Sequence, residues 1–314
     1  MRAVVIHDGK LVVEERPDPA PGDTELSVRV HAAGINSADL LQRKGLYPPP
    51  PGFPPDIPGM EFAGTVEAVG RQVRSFSAGD RVMAVVGGGA QATMALVDET
   101  HALRVPESVP FAAAGGFPEV YSTAFDALFD QCGVGMGDRV LVTGAAGGVG
   151  TAGGQLARAA GASVVASVRN HAHHDEVRAL GADEVVDPAD VGDHGPYDVV
   201  LELVGAASFP SAFGALAAGG RISVIGVASG AGVDLNLLTL MQKRASVRGS
   251  TLRARSTVDK AIVAAGVTAR VLPLLADGRI RVPVAATYPL ADVEAAYQRF
   301  ADGAKLGKVV LLAP

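Results

Sequence analysis

The residues of this chain with the clearest chemical use form the run TGAAGGVG, Thr143–Gly150. It follows the apolar Val140, Leu141 and Val142 and opens into TAGGQLARAAG, a stretch of small and apolar residues. That order reads as strand, glycine turn, helix. A turn made of Gly144, Ala145, Ala146, Gly147, Gly148, Val149 and Gly150 carries little side chain, so backbone N–H groups and the helix N-terminus can approach a pyrophosphate. The loop is a dinucleotide cradle. No Walker-type lysine follows the glycines, so nucleotide hydrolysis is not expected.

A second group of chemical interest ends the next strand, SVVASV at Ser163–Val168. An NAD site usually places Asp or Glu there, about 20 residues beyond the glycines, to accept from the ribose 2′-OH. Here Val168 is followed by Arg169, Asn170 and His171. An acid would repel a 2′-phosphate, whereas Arg169 can donate to it. A charge-assisted bond of about 1.5–3 kcal/mol gives a roughly 10- to 100-fold preference for NADPH. Ser167 and Asn170 can add hydrogen bonds. HAHH at His171–His174 falls in the turn and first helical turn after the strand, where an adenosine-facing or solvated surface is expected rather than a metal.

Nearer the N-terminus, Tyr47 stands in LYPPPPGFPPDIP, Leu46–Pro58. So many prolines forbid helix and ladder alike and leave a stiff, extended loop, read as a pocket wall. A phenol of pKa about 10 is protonated at neutral pH and can donate to a developing enolate or quinol oxygen; stacked on the prolines it would be only a wall. Asn36, in GINSAD, can hold a carbonyl through its amide or make a local turn bond. The loop GGGAQ, Gly87–Gln91, is placed to line the same cleft.

The elements that position these residues fall into two textures. From about Glu119, helix-like stretches alternate with the apolar runs at Val140, Ser163, Glu184, Asp198 and Arg221, which predicts a doubly wound parallel sheet buried on both faces. Glu119–Gly137 reads as a helix leading into the first of these strands, and SVRGSTL from Ser246 as an edge strand. Met1 to about Pro118 instead shows short strands broken by Gly and Pro, which predicts an irregular antiparallel barrel. Val258–Asp277 reads as a helix, with Gly266 and Pro273 as points of kink or break, and the closing strand KVVLLAP is expected to join the first domain.

The chain has 314 residues, 48% of them hydrophobic, with a formal net charge of −6 at pH 7, which fits two domains and gives no reason to expect nucleic acid or an acidic membrane as partner. Its one cysteine, Cys132, rules out an internal disulfide and a Cys-rich zinc lobe. No apolar run is long enough for a membrane span and the N-terminus lacks a signal-peptide layout, so a soluble cytoplasmic protein is expected.

Several stretches together resemble the medium-chain dehydrogenase/reductase superfamily and, within it, the zeta-crystallin-like quinone oxidoreductases. They are Ala32–Gly52, PGMEFAGTVEAVG at Pro58–Gly70, GDRVMA at Gly79–Ala84, PEVYSTAFDAL at Pro118–Leu128, the glycine run, and LGKVVL at Leu306–Leu311. The resemblance implies a GroES-like barrel from residues 1–118 plus 257–314 and a Rossmann dinucleotide-binding domain from 119–256 inserted into it. It implies an NADPH-dependent reductase of quinones, or alternatively of enoyl or 2-alkenal substrates, or a cofactor-binding protein with little turnover. A homodimer through edge strands such as SVRGSTL is implied too. Tyr47 matches the active-site tyrosine of the family, Thr123 a threonine that contacts the nicotinamide carboxamide, and Lys308 a basic position near the cofactor. Where zinc-dependent members place a ligand cysteine this chain has Asn36, and where they place the histidine of GHE it has Met60 before Glu61. Neither is a usual zinc ligand, so chemistry without metal is expected.

Overall fold

The computed structural model describes residues 1–314. In chain order, β1 (Arg2–His7), β2 (Lys10–Glu15) and β3 (Glu25–Gly34) precede α1 (Ser37–Arg43). After the proline loop come β4 (Glu61–Val69), β5 (Arg81–Val85), β6 (Met94–Asp98), β7 (Ala102–Arg104), α2 (Phe111–Ala114) and α3 (Pro118–Phe125). The alternating section holds β8 (Arg139–Val142), α4 (Gly148–Ala159), β9 (Ser163–Ser167), α5 (His174–Ala179) and β10 (Glu184–Val186). It continues with β11 (Tyr197–Glu202), α6 (Phe209–Gly214), β12 (Leu216–Val224), α7 (Leu237–Lys243) and β13 (Ser246–Gly249). The last part is α8 (Thr257–Arg270), α9 (Leu272–Ala276), β14 (Val284–Pro289), α10 (Val293–Ala301) and β15 (Lys308–Leu312).

Two compact units result, Met1–Val120 with Leu252–Pro314, and Tyr121–Thr251. The return into the first unit comes earlier than the 256/257 border expected from the sequence. Leu252 and Arg253 are buried there, and Arg253 hydrogen-bonds the carbonyls of Gly87 and Tyr47.

In the first unit a seven-stranded sheet runs β14-β15-β3-β4-β5-β7, with β6 also paired to β3. Its pairings are antiparallel except β14 with β15. The C-terminal strand does return to this unit, where Val310 pairs with Gly34. That pairing brings Lys308 towards the end of β3, where the chain turns into α1. β1 and β2 form a separate hairpin whose turn residues Asp8 and Gly9 both have positive φ, 48° and 78°, as a tight primed turn requires. The core between strands is aliphatic, with Leu26, Val28, Val82 and Ala84 fully buried around Phe62. The helical segment after Ser256 breaks at Val271, one residue before α9, and Pro273 sits in the first turn of α9; Gly266 stays within α8.

The sequence reading does not foresee α1. Its start is written in N-S-A-D: the Asp39 carboxylate accepts from the Asn36 backbone N–H at 2.8 Å, the reach-back of a capping box. The helix is too short to show an apolar period.

The second unit is a six-stranded parallel sheet, β10-β9-β8-β11-β12-β13. Val140, Leu141, Val142, Val199, Val200 and Leu201 are fully buried, the continuous apolar runs of a sheet covered on both faces. Strand order reverses between β8 and β11, so the loop after β8 lies at the switch point where such sheets bind ligands. The helix expected over Glu119–Gly137 is α-helical to Phe125, widens into π-helical turns at Asp126–Gln131 and stops at Cys132. No helix is long and apolar enough to cross a membrane.

Candidate active site and cofactor cradle

The second unit carries the cradle. Gly144 has a φ of +59°, and a Cβ on Gly150 would stand 2.6 Å from both the Ala145 Cα and the Gly144 carbonyl oxygen. The turn therefore closes only with glycine at that place. Gly147 is the N-cap of α4 and brings no side chain to cap it, which leaves first-turn N–H groups for an anionic ligand. The turn is braced from behind. Ala145 N–H donates to the Ser167 carbonyl at 3.1 Å. Thr143 Oγ1 donates to Glu202 Oε1 at 3.0 Å and accepts from Leu203 N–H at 2.8 Å. Glu202, fully buried, also accepts from the N–H groups of Val204 and Gly205 and from Ser208.

At the end of β9, Ser167 and Val168 are buried while Arg169 is exposed. Asn170 Oδ1 accepts from Ala172 N–H and so caps the short turn that follows. His174 Nε2 donates to the Val168 carbonyl at 3.0 Å, and His171 Nε2 contacts Asp187 Oδ1 at 2.9 Å. The ligating atoms of His171, His174 and Asp187 lie within 4.8 Å of one another, a grouping the sequence does not show because Asp187 is the residue that follows β10. Thr123 is buried in α3. The bare cradle and the open helix end fit a dinucleotide.

The first unit holds Asn36, Tyr47 and Lys308. Lys308 is 2% exposed and Glu61 fully buried. The Lys308 ammonium donates to the Ile35 carbonyl at 2.9 Å and to Asn36 Oδ1 at 2.6 Å, and pairs with Glu61 Oε1 at 2.6 Å. Its donors are thus engaged within the cluster, where the resemblance placed it beside the cofactor. Asn36 Nδ2 donates to Glu61 Oε1 at 2.9 Å, which fixes both ends of the amide. Glu61 Oε2 accepts from Glu119 N–H at 2.9 Å. Glu61 is therefore structural, and Asn36 is an amide held at both ends that also stands at the N-cap of α1, in keeping with its local turn reading. This donor set does not fit zinc: an ammonium already neutralises the one carboxylate at the place of the metal ligands. Beneath it, fully buried Asp39 accepts from Asn36 N–H and, at 3.2 Å, from Gly59 N–H, and burial pushes its carboxyl up to about 6.

Tyr47 follows α1 and is half-buried. Arg253, 4% exposed, grips this loop: Nε donates to Gly87 O at 2.8 Å, Nη1 to Tyr47 O at 3.0 Å and Nη2 to Gln42 Oε1 at 2.5 Å. Its guanidinium also lies over the Tyr47 ring, 4.9 Å from the centroid. Burial raises the Tyr47 phenol above its ordinary pKa, Arg253 opposes this and Glu119 adds to it, so the hydroxyl carries its proton at neutral pH. Gly87 packs against the Phe53 ring of the proline loop, while Gln91, expected at the cleft, is fully buried and accepts from Tyr297 OH at 2.8 Å. Arg253 is the residue that the sequence does not single out; in LRARS nothing distinguishes it from a solvated arginine.

Comparison with known proteins agrees with this construction. Residues 22–107 match the family described as alcohol dehydrogenase GroES-like domain, and residues 148–265 match zinc-binding dehydrogenase. The human quinone oxidoreductase is 32% identical over 332 residues, covering 99% of this chain and 98% of that protein. The chain belongs to the medium-chain dehydrogenase/reductase superfamily, in its quinone oxidoreductase branch. Among solved structures, a Pseudomonas syringae pv. tomato quinone oxidoreductase superposes with this oxidoreductase at a TM-score of 0.87 and 29% identity, covering 99% of this chain and 100% of that one. A mycobacterial protein complexed with NADPH matches at a TM-score of 0.88 and 29% identity, covering 99% of each chain.

Proposed function

We propose that this oxidoreductase reduces a quinone with NADPH and without a metal. The observation that carries the reading is the Asn36–Glu61–Lys308 lock, which replaces a Lewis acid by an internal ion pair. Such a site suits an electron-poor acceptor that needs only a hydride and a proton. Bound NADPH supplies the hydride. Gly144–Gly150 hold the pyrophosphate, Ser167, Arg169 and Asn170 receive the 2′-phosphate, and Thr123 meets the nicotinamide end. Asn36, held at Oδ1 by Lys308 and through one Nδ2 hydrogen by Glu61, offers its second amide hydrogen to the acceptor carbonyl, and Tyr47 donates its proton to the acceptor oxygen. The protonated Tyr47 beside Arg253 also favours one second reading, reduction of an α,β-unsaturated carbonyl through an enolate.

The test is NADPH oxidation by the purified protein with a naphthoquinone, a 2-enoyl thioester and a 2-alkenal. Fastest turnover with the quinone supports the first reading, and fastest turnover with either unsaturated carbonyl replaces it by the second. Tight NADPH binding with no turnover would sink both and leave a cofactor-binding protein.

Arg169→Ala is expected to reduce the preference for NADPH over NADH by roughly 10- to 100-fold, read as the ratio of dissociation constants from fluorescence titration. An unchanged ratio would remove Arg169 from the phosphate site. The proposed assembly is a homodimer through the open edge of β13. Leu237, Leu238 and Met241 of α7 are 66%, 61% and 72% exposed, beside Val247 of β13 at 36%, more apolar surface than an unpartnered edge usually leaves open. Light scattering should give a dimer that Leu238→Glu with Met241→Glu converts to monomer; a monomeric wild type at micromolar concentration refutes it.

A further inference from the structure

We infer that Arg253 is the counter-charge for the phenolate left on Tyr47 when its proton passes to the reduced acceptor. The inference rests on Tyr47 being the proton donor of the proposed reaction. Arg253 is buried, yet its hydrogen bonds go to two backbone carbonyls and an amide oxygen, none of them charged. A guanidinium removed from water without a carboxylate partner is costly to keep. It lies instead over the ring of the one half-buried phenol in this loop. A neutral phenol offers that cation only its ring quadrupole; a phenolate offers a full negative charge.

The step balances as follows. With a reduced nicotinamide bound, the acceptor would gain a hydride, two electrons and one proton, and its oxygen would become anionic. The Tyr47 O–H bond breaks and its proton goes to that oxygen. The phenolate then regains a proton from solvent. Arg253 makes the donor state of Tyr47 cheaper to leave, while Asp39 and Glu119 are the acids that Arg253 also feels, and Glu119 opposes its action on Tyr47. Lys260, over the Phe53 ring of the same loop, is a further cation near Arg253.

The test titrates Tyr47 itself. Tyrosinate absorbance is followed against pH for each protein minus its Tyr47→Phe counterpart, which cancels the other phenols. Arg253→Gln is expected to raise the Tyr47 midpoint by about one pH unit, a tenfold loss of acidity, and to lower kcat by about the same factor. Arg253→Lys, which keeps the charge, is expected to restore most of the midpoint and serves as the test if Arg253→Gln does not fold. A Tyr47 midpoint that stays in place while activity falls would overturn the inference and leave Arg253 as a loop clamp only. Full turnover in Tyr47→Phe overturns the donor reading itself, whatever the midpoint does, and so separates the two failures.

Discussion

Lys308→Met is expected to lose about 3–5 kcal/mol of folding stability, the usual result of leaving a buried partner charge alone. Glu61 is fully buried, and its Oε1 is held by the ammonium and by the Asn36 amide. Methionine has nearly the length of lysine, so the substitution removes charge and three donated hydrogen bonds without opening a large cavity. Asn36 Oδ1 and the Ile35 carbonyl would lose their donor at the same time. There is no room to rearrange: a Cβ on Gly34 would strike the Glu61 carboxylate, and one on Gly116 would stand 3.1 Å from the Lys308 side chain. The double variant Lys308→Met with Glu61→Gln should recover part of the loss, because it removes the stranded charge. Denaturant unfolding at neutral pH measures both, and a loss under about 1 kcal/mol for Lys308→Met would show that the pair contributes little to folding.

Tyr47→Phe is expected to lower kcat by about 100-fold or more for an unsaturated carbonyl, whose enolate needs a proton from a placed acid. For a quinone the loss should be smaller, about tenfold, since a quinol oxygen can also take its proton from water. The substitution is clean in this fold. Arg253 binds the backbone carbonyl of residue 47 and lies over its ring, and phenylalanine keeps both. KM should therefore stay nearly constant while kcat falls. A rise in KM with kcat unchanged would make Tyr47 a pocket wall, as its place among prolines also allows.

What could be read from the chain depended on how local its cause was. The cradle is written in consecutive residues, Thr143–Gly150, because the turn, the helix start and the close approach all arise within one loop. The parallel strands were legible as unbroken apolar runs, although β12 begins at Leu216, before the apolar Arg221 stretch, through small residues that carry no pattern. The polar cluster was legible only in part. Asn36 and Met60 showed where zinc ligands were missing, but what replaced them depends on Lys308, 272 residues from Asn36, brought in by the pairing of β15 with β3. Arg253 reaches Tyr47 across 206 residues and belongs to no periodic element, so no spacing announces it. Asp187 joins His171 across 16 residues for the same reason: neighbouring strands, not neighbouring sequence, put them together.

The order of these partners along the chain also sets a timetable. Asn36, Tyr47 and Glu61 emerge early in synthesis, while the two cations that complete their surroundings, Arg253 and Lys308, follow the whole of the unit Tyr121–Thr251. At about 5–20 residues per second the wait is on the order of ten to fifty seconds. During it Glu61 has no ammonium to pair with, and β3 lacks β15 along its edge. The dinucleotide-binding unit, continuous in sequence, has all its strands before the first unit has all of its own. The unit that holds Asn36, Tyr47 and Glu61 is thus completed after the dinucleotide-binding unit, when β15 joins β3.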